Sequence, residues 1–132
     1  MNLKLLDGAT ATSSAPTAAT DGKDLGAKTF DDAILFLAST AGSGTMSCSV
    51  KIWLYHAVPA VWAPAGTHAT DATRGIMNEG NSIGEVATDL LRHTERIDGL
   101  LHFDRIYAQV TAIGGTATAI SLWILARNNS PA

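Results

Sequence analysis

The side chains able to do chemistry in this 132-residue chain are few and scattered. His56, His68, His93 and His102 are the only imidazoles, and beside the carboxylates they are the natural ligands for a metal. One kind of metal-binding β-sandwich uses a His-x-His pair with a glutamate a few residues on, because alternate side chains of a strand share a face and converge on the ion. That pair is missing. His93, Glu95 and His102 come nearest to a cluster, and hydrogen-bonded or solvated surface histidines are the expected reading, so neither a metal nor a cofactor is expected. Gly42-Ser43-Gly44 lacks the Gly-x-Ser-x-Gly spacing and the strand-to-helix setting that exposes a serine nucleophile. No glycine loop ends in Lys-Ser or Lys-Thr to cradle a phosphate. Asp31, Asp32 and Asp104 fall at strand starts, where a solvated carboxylate or a turn cap is commoner than an acid-base pair, and Asp104 beside Arg105 suits an ion pair. Cys48 alternates with Met46, Val50 and Ile52, as a small buried strand residue does. No catalytic residue is expected.

The aromatic side chains carry more information. Trp53, Tyr55, Trp62, Tyr107 and Trp123 are candidates for an interface, because a rigid ring on an otherwise polar face marks a contact surface. The competing reading is that both faces are covered within one small sandwich.

The elements that must position these rings are strands. From Thr45 to His56, residues Met46, Cys48, Val50, Ile52 and Leu54 share one face, opposite Ser47, Ser49, Lys51, Trp53 and Tyr55. Between Phe103 and Arg127 two β-favouring runs flank Gly114-Gly115, which predicts a hairpin with a tight turn at those glycines. Ala33–Ala38 is a short apolar run suited to a strand buried on both faces, followed by a turn at Ala41–Gly44. The two regions echo each other: Phe30-Asp31 to Ile52-Trp53-Leu54, and Phe103-Asp104 to Leu122-Trp123-Ile124. They are expected to be two similar hairpins, one in each half of a sandwich. Val61-Trp62, enclosed by Pro59 and Pro64, reads as an edge piece, and His68–Gly84 as loop. Residues 83–97 fit either a helical stripe or a strand over Thr88–Arg96, with the strand preferred because a sandwich needs the partner. The expected architecture is an all-β antiparallel sandwich, residues 30–132, preceded by an extended arm, residues 1–29. The arm is rich in Ala, Thr, Ser and Gly and has little to bury, so it orders only against a partner or its own domain, with residues 2–6 able to form an edge strand.

Nine basic residues against twelve acidic ones give a net charge of −3, and no two Lys or Arg are adjacent, which disfavours nucleic acid and anionic membranes as partners. One cysteine excludes an internal disulfide. Lys4-Leu5-Leu6 is too short for the apolar core of a signal peptide, and no apolar run matches a membrane span. The chain is expected in the cytosol unless it is assembled into a particle.

Asp24-Leu25-Gly26, the Lys51–Tyr55 run, Trp62-Ala-Pro-Ala-Gly66, and Phe103–Val110 followed by Gly114-Gly115-Thr116 together resemble the jelly-roll decoration, or cement, proteins of tailed bacteriophages. The likeness spans roughly Asp24 to Arg127. It implies a protein without an active site, made in the host cytoplasm and located on the capsid exterior. Its partners would be the major capsid protein and itself, as homodimer or homotrimer. It also implies no residue-level binding positions, which leaves the arm and the aromatic face as interface candidates. A receptor-binding tail or fibre domain, presenting a loop such as 67–84 to a carbohydrate, is the alternative. A small jelly-roll enzyme or metal-binding domain is a third.

Overall fold

The computed structural model describes residues 2–26, 32–64, 83–85, 90–96 and 102–127. Seven strands follow in chain order: β1 (Asn2–Ala9), β2 (Lys23–Asp24), β3 (Asp32–His56), β4 (Val61–Pro64), β5 (Ile83–Glu85), β6 (Leu90–Arg96) and β7 (Arg105–Arg127). All pairings are antiparallel, and no α-helix occurs among the described residues.

Two long strands organise the molecule. β3 and β7 pair from Asp32↔Arg127 at one end to Tyr55↔Arg105 at the other. Laid flat, a ribbon of this length would span roughly 75 Å at about 3.3 Å per residue and leave its apolar face open to water. Instead that face is closed in both halves. Leu35, Leu37, Ile120, Leu122 and Ile124 from one half, and Val50, Ile52 and Ile106 from the other, belong to one core cluster with no measurable exposure. The halves therefore cover each other, as two antiparallel sheets in a sandwich-like arrangement that share both long strands. One sheet runs β6–β3–β7–β1; in the other, β3 carries β4 and β5 on its outer edge and β7 carries β2.

The sequence predicts reversals at Ala41–Gly44 and Gly114-Gly115, and the structure corrects both. β7 runs unbroken through the glycines, with Gly114 opposite Ser47 and Gly115 opposite Met46. Register shifts lie between Thr40 and Ala41, Ala41 and Met46, and Ser49 and Val50. Across the second of them residues 42–45 of β3 stand opposite Thr116 alone, a bulge that bends the ribbon. Glycine and serine suit a turn or a bulged corner equally well, and the long-range partner selects the corner. The two similar stretches are accordingly the two strands of one ribbon, each crossing both sheets, rather than separate hairpins.

The shifts leave β3 one residue longer than β7 across the corner. Core positions on β3 thus change from odd (Ala33, Leu35, Leu37) to even (Val50, Ile52, Leu54), while β7 keeps even positions throughout. Ala33–Ala38 is buried on one face only, since Ile34, Phe36 and Ala38 are half-buried on the outside. β6 settles the ambiguous stretch as a strand at Leu90–Arg96, and Ile83–Glu85 is a strand on β3 where the sequence predicts loop through Gly84. β4 is an edge strand, as the flanking prolines require.

Candidate interaction surface

The candidate rings occupy the outer faces of the two sheets. Trp53 and Tyr55 are half-buried while Ile52 and Leu54 between and beside them are core, the alternation expected of β3. Register places Trp53 opposite Tyr107 and Tyr55 opposite Trp62. Tyr55 and Trp62 lie 5.2 Å apart between ring centroids, and Trp62 meets Tyr107 edge-on at 6.2 Å. The indole N–H of Trp53 donates to Gln109 Oε1 at 2.9 Å, and the Lys51 ammonium sits 4.5 Å from the centre of the Trp53 ring. Trp123 stands apart, on the other sheet, packed against Phe36 at 5.9 Å with the Lys4 ammonium 5.2 Å from its centroid. The structure brings four candidates to one sheet and leaves the fifth on the other.

What the four-ring sheet holds is its own N-terminal arm. Tyr107 donates its hydroxyl to the Ser14 carbonyl at 3.0 Å, Gln109 its amide to Ser13 at 3.1 Å, and Trp62 its indole N–H to Ala18 at 3.0 Å. Arg105 reaches the Gly22 carbonyl at 2.8 Å. All four bonds run from a sheet side chain to an arm carbonyl. An arm of Ala, Ser and Gly leaves its carbonyls open to such donors, each worth roughly 0.5–1.5 kcal/mol net. Ser13 adds a short stretch of edge pairing, donating its N–H to Val110 O and accepting the Val110 N–H on its hydroxyl.

Three arm residues that composition undervalues fix the path. Leu25 is 1 % exposed and inserts into the core, Pro16 is buried, and Gly22 lies directly beneath the Trp62 ring, where a β-carbon would collide with that ring and approach Ile106 O to 2.7 Å. A lone leucine in a polar run carries no periodic signal, so Leu25 was not legible as an anchor. Between these points the Asp21 carboxylate accepts the backbone N–H groups of Thr17 and Ala18, both at 2.8 Å, and these bonds hold its carboxyl below the ordinary 3.8.

Asp104 caps the β3–β4 turn, accepting the Ala57 N–H at 2.8 Å, and Arg105 faces Asp24 at 3.8 Å. In that turn Val58 N–H donates to His56 Nδ1 and Ala60 N–H to His56 O, both at 3.0 Å, with Ala60 in the left-handed region at φ 68°. Beside the arm, a crevice of about 180 Å³ opens between β1 and the first half of β7, walled by Leu5, Leu6, Ala9, Ile106, Ala108 and Val110.

Among the described residues no three His, Cys, Asp or Glu side chains stand together. His102 is exposed; His68, and the side chains of His93 and Glu95, lie outside the described residues. Fold and surface define the class: an antiparallel β-sandwich with a self-fastened arm. No family model, curated protein or solved structure matches the chain.

Proposed function

We propose that the protein is a structural virion component, a decoration protein of the jelly-roll kind that binds the outside of a tailed-phage capsid and bridges capsomers. The observation that supports this reading is the strapping of the arm across the sandwich, which ties a segment with little to bury into one rigid block. A clamp works by being stiff. Each copy binds the assembled lattice better than free subunits, so its binding energy adds to the stability of the shell. Contact with two capsomers adds effective concentration, so modest contacts at each end suffice. On this reading the protein acts without an active site. It joins the major capsid protein from the host cytoplasm, as a homodimer or homotrimer.

The segments that carry the resemblance hold structural positions in this block: Asp24-Leu25-Gly26 anchors the arm through Leu25, Trp53, Tyr55 and Tyr107 stand on the outer face, and Trp62 bridges the two. Electron microscopy of intact particles is the direct test. Hundreds of copies over the head are expected, and particles lacking the protein should release DNA at a lower temperature. A few copies confined to the tail would replace this reading with the receptor-binding one.

A further inference from the structure

Three aspartates in the chain directly precede a glycine, at Asp7-Gly8, Asp21-Gly22 and Asp98-Gly99, the last pair lying outside the described residues. Such a pair carries a slow reaction of its own, because glycine has no side chain to shield its nitrogen from the neighbouring carboxyl. The glycine nitrogen attacks Cγ of the protonated aspartate. The N–Cγ bond forms, the Cγ–OH bond breaks, and the hydroxyl leaves as water with the amide proton. A five-membered succinimide results. Water then reopens the ring at either carbonyl, returning aspartate or giving isoaspartate, in which the main chain runs through Cβ and Cγ. Mass is unchanged and no other reactant is needed. The rate therefore depends on how freely the carboxyl, the nitrogen and the backbone between them reach the ring geometry.

The two described pairs differ on each count. The Asp21 carboxylate is fastened by the N–H groups of Thr17 and Ala18, both at 2.8 Å, and these bonds favour its unreactive ionised form. Gly22 is pressed against the Trp62 ring and Ile106 O, so a ring closing beside it has no room. The Asp7 side chain, in contrast, is 81 % exposed, and its partner is the flexible, half-exposed Lys4 at 3.0 Å, a pair that restrains it little. Gly8 lies in the left-handed region at φ 64°, and nothing stands within 4 Å of the place a β-carbon would take. The ladder also passes this pair over. β1 meets β7 at Leu6 and next at Ala9, so Asp7 and Gly8 form the register shift between them. The Gly8 N–H donates to Ser121 Oγ at 3.0 Å, one side-chain bond to give up.

We infer that Asp7 is a modification site, where the folded chain converts its own Asp7-Gly8 linkage to isoaspartate, while the fold spares Asp21-Gly22. The same dipeptide thus meets opposite fates at the two ends of the arm. The product takes the carboxylate from its place beside Lys4 and adds a main-chain atom to the bulge between Leu6 and Ala9. The inference is independent of the capsid reading.

The test is peptide mapping of the full chain after long incubation below its melting temperature, in mildly acidic buffer above the range where Asp21 protonates. Electron-transfer fragmentation distinguishes isoaspartate from aspartate at equal mass. In the folded chain isoaspartate should accumulate at Asp7 severalfold faster than at Asp21. In urea the two sites should react at similar rates, because the protection of Asp21 is tertiary. Asp7→Glu should remove the product at this position, since a six-membered ring closes far more slowly, and should leave the rate at Asp21 unchanged. Equal rates in the folded chain, or a slower one at Asp7, overturn the inference. So does a difference that persists undiminished in urea, which would trace it to the neighbours Leu6 and Thr20 rather than to the fold.

Discussion

The two halves of β7 close their outer edges in different ways. Along Ile120–Leu125 the edge is covered by β1 through a backbone ladder, Asn2↔Leu125 to Ala9↔Ile120. Leu3, Leu5 and Leu6 pack on the core below. Along Asp104–Val110 the arm bonds to the edge at Ser13 and again at Lys23–Leu25, and between them it climbs over the outer face, where tyrosine, tryptophan, glutamine and arginine hold its carbonyls. The difference follows from composition. A segment with leucines at close spacing earns its place by burial, and the ladder comes with it. A segment of Ala, Thr and Ser has little to bury, so it orders only where donors are aimed at its backbone and one leucine is inserted.

The comparison can be broken at several points. The largest effects should come from the shared core: Ile52→Ala and Ile124→Ala, one per sheet, should each cost about 2–5 kcal/mol. Urea unfolding should show one transition in both, because the sheets bury the same cluster; two transitions would mean the halves stand independently. Leu25→Ala should cost about 2–4 kcal/mol, and hydrogen exchange should show protection lost over residues 12–25 while β1 keeps its own. Gly22→Ala should cost about 1–3 kcal/mol by forcing Trp62 aside, with the Trp62 fluorescence altered; an unchanged melting temperature would show that the strap yields freely.

Smaller effects sharpen the contrast. Trp62→Phe keeps a ring and removes the bond to Ala18, so it should cost about 1 kcal/mol and speed exchange in the arm, whereas Trp123→Phe, on the other sheet, should leave arm exchange unchanged. Asp21 gives the arm a pH dependence of defined sign. Its folded pKa is depressed, so its stabilisation is present above the ordinary value of 3.8 and is lost as pH falls from there through the lower folded value. Arm exchange measured down that range should accelerate in the wild type, and the acceleration assigned to this carboxylate should be absent in Asp21→Asn.

Much of the sheet was legible because alternation is a local property. Ile52 and Leu54 facing inward with Trp53 and Tyr55 outward, Ile120, Leu122 and Ile124 on one face, and Val61-Trp62 at an edge could each be read from neighbours two residues apart. The site was legible only as a set of rings. Nothing in the spacing of Tyr107, Gln109 and Trp62 says that they donate to Ser14, Ser13 and Ala18, since those partners lie 93, 96 and 44 residues away.

The amino-acid order by itself settled that the chain forms paired extended segments with one greasy face, because side-chain direction alternates wherever the backbone is extended. Tertiary structure alone decided whether the glycine-rich centres reverse the chain or bend it, and whether the arm hangs free or lies across its own sheet. A turn and a bulged corner use the same residues and similar dihedral angles, and they differ only in which distant strand offers its hydrogen bonds.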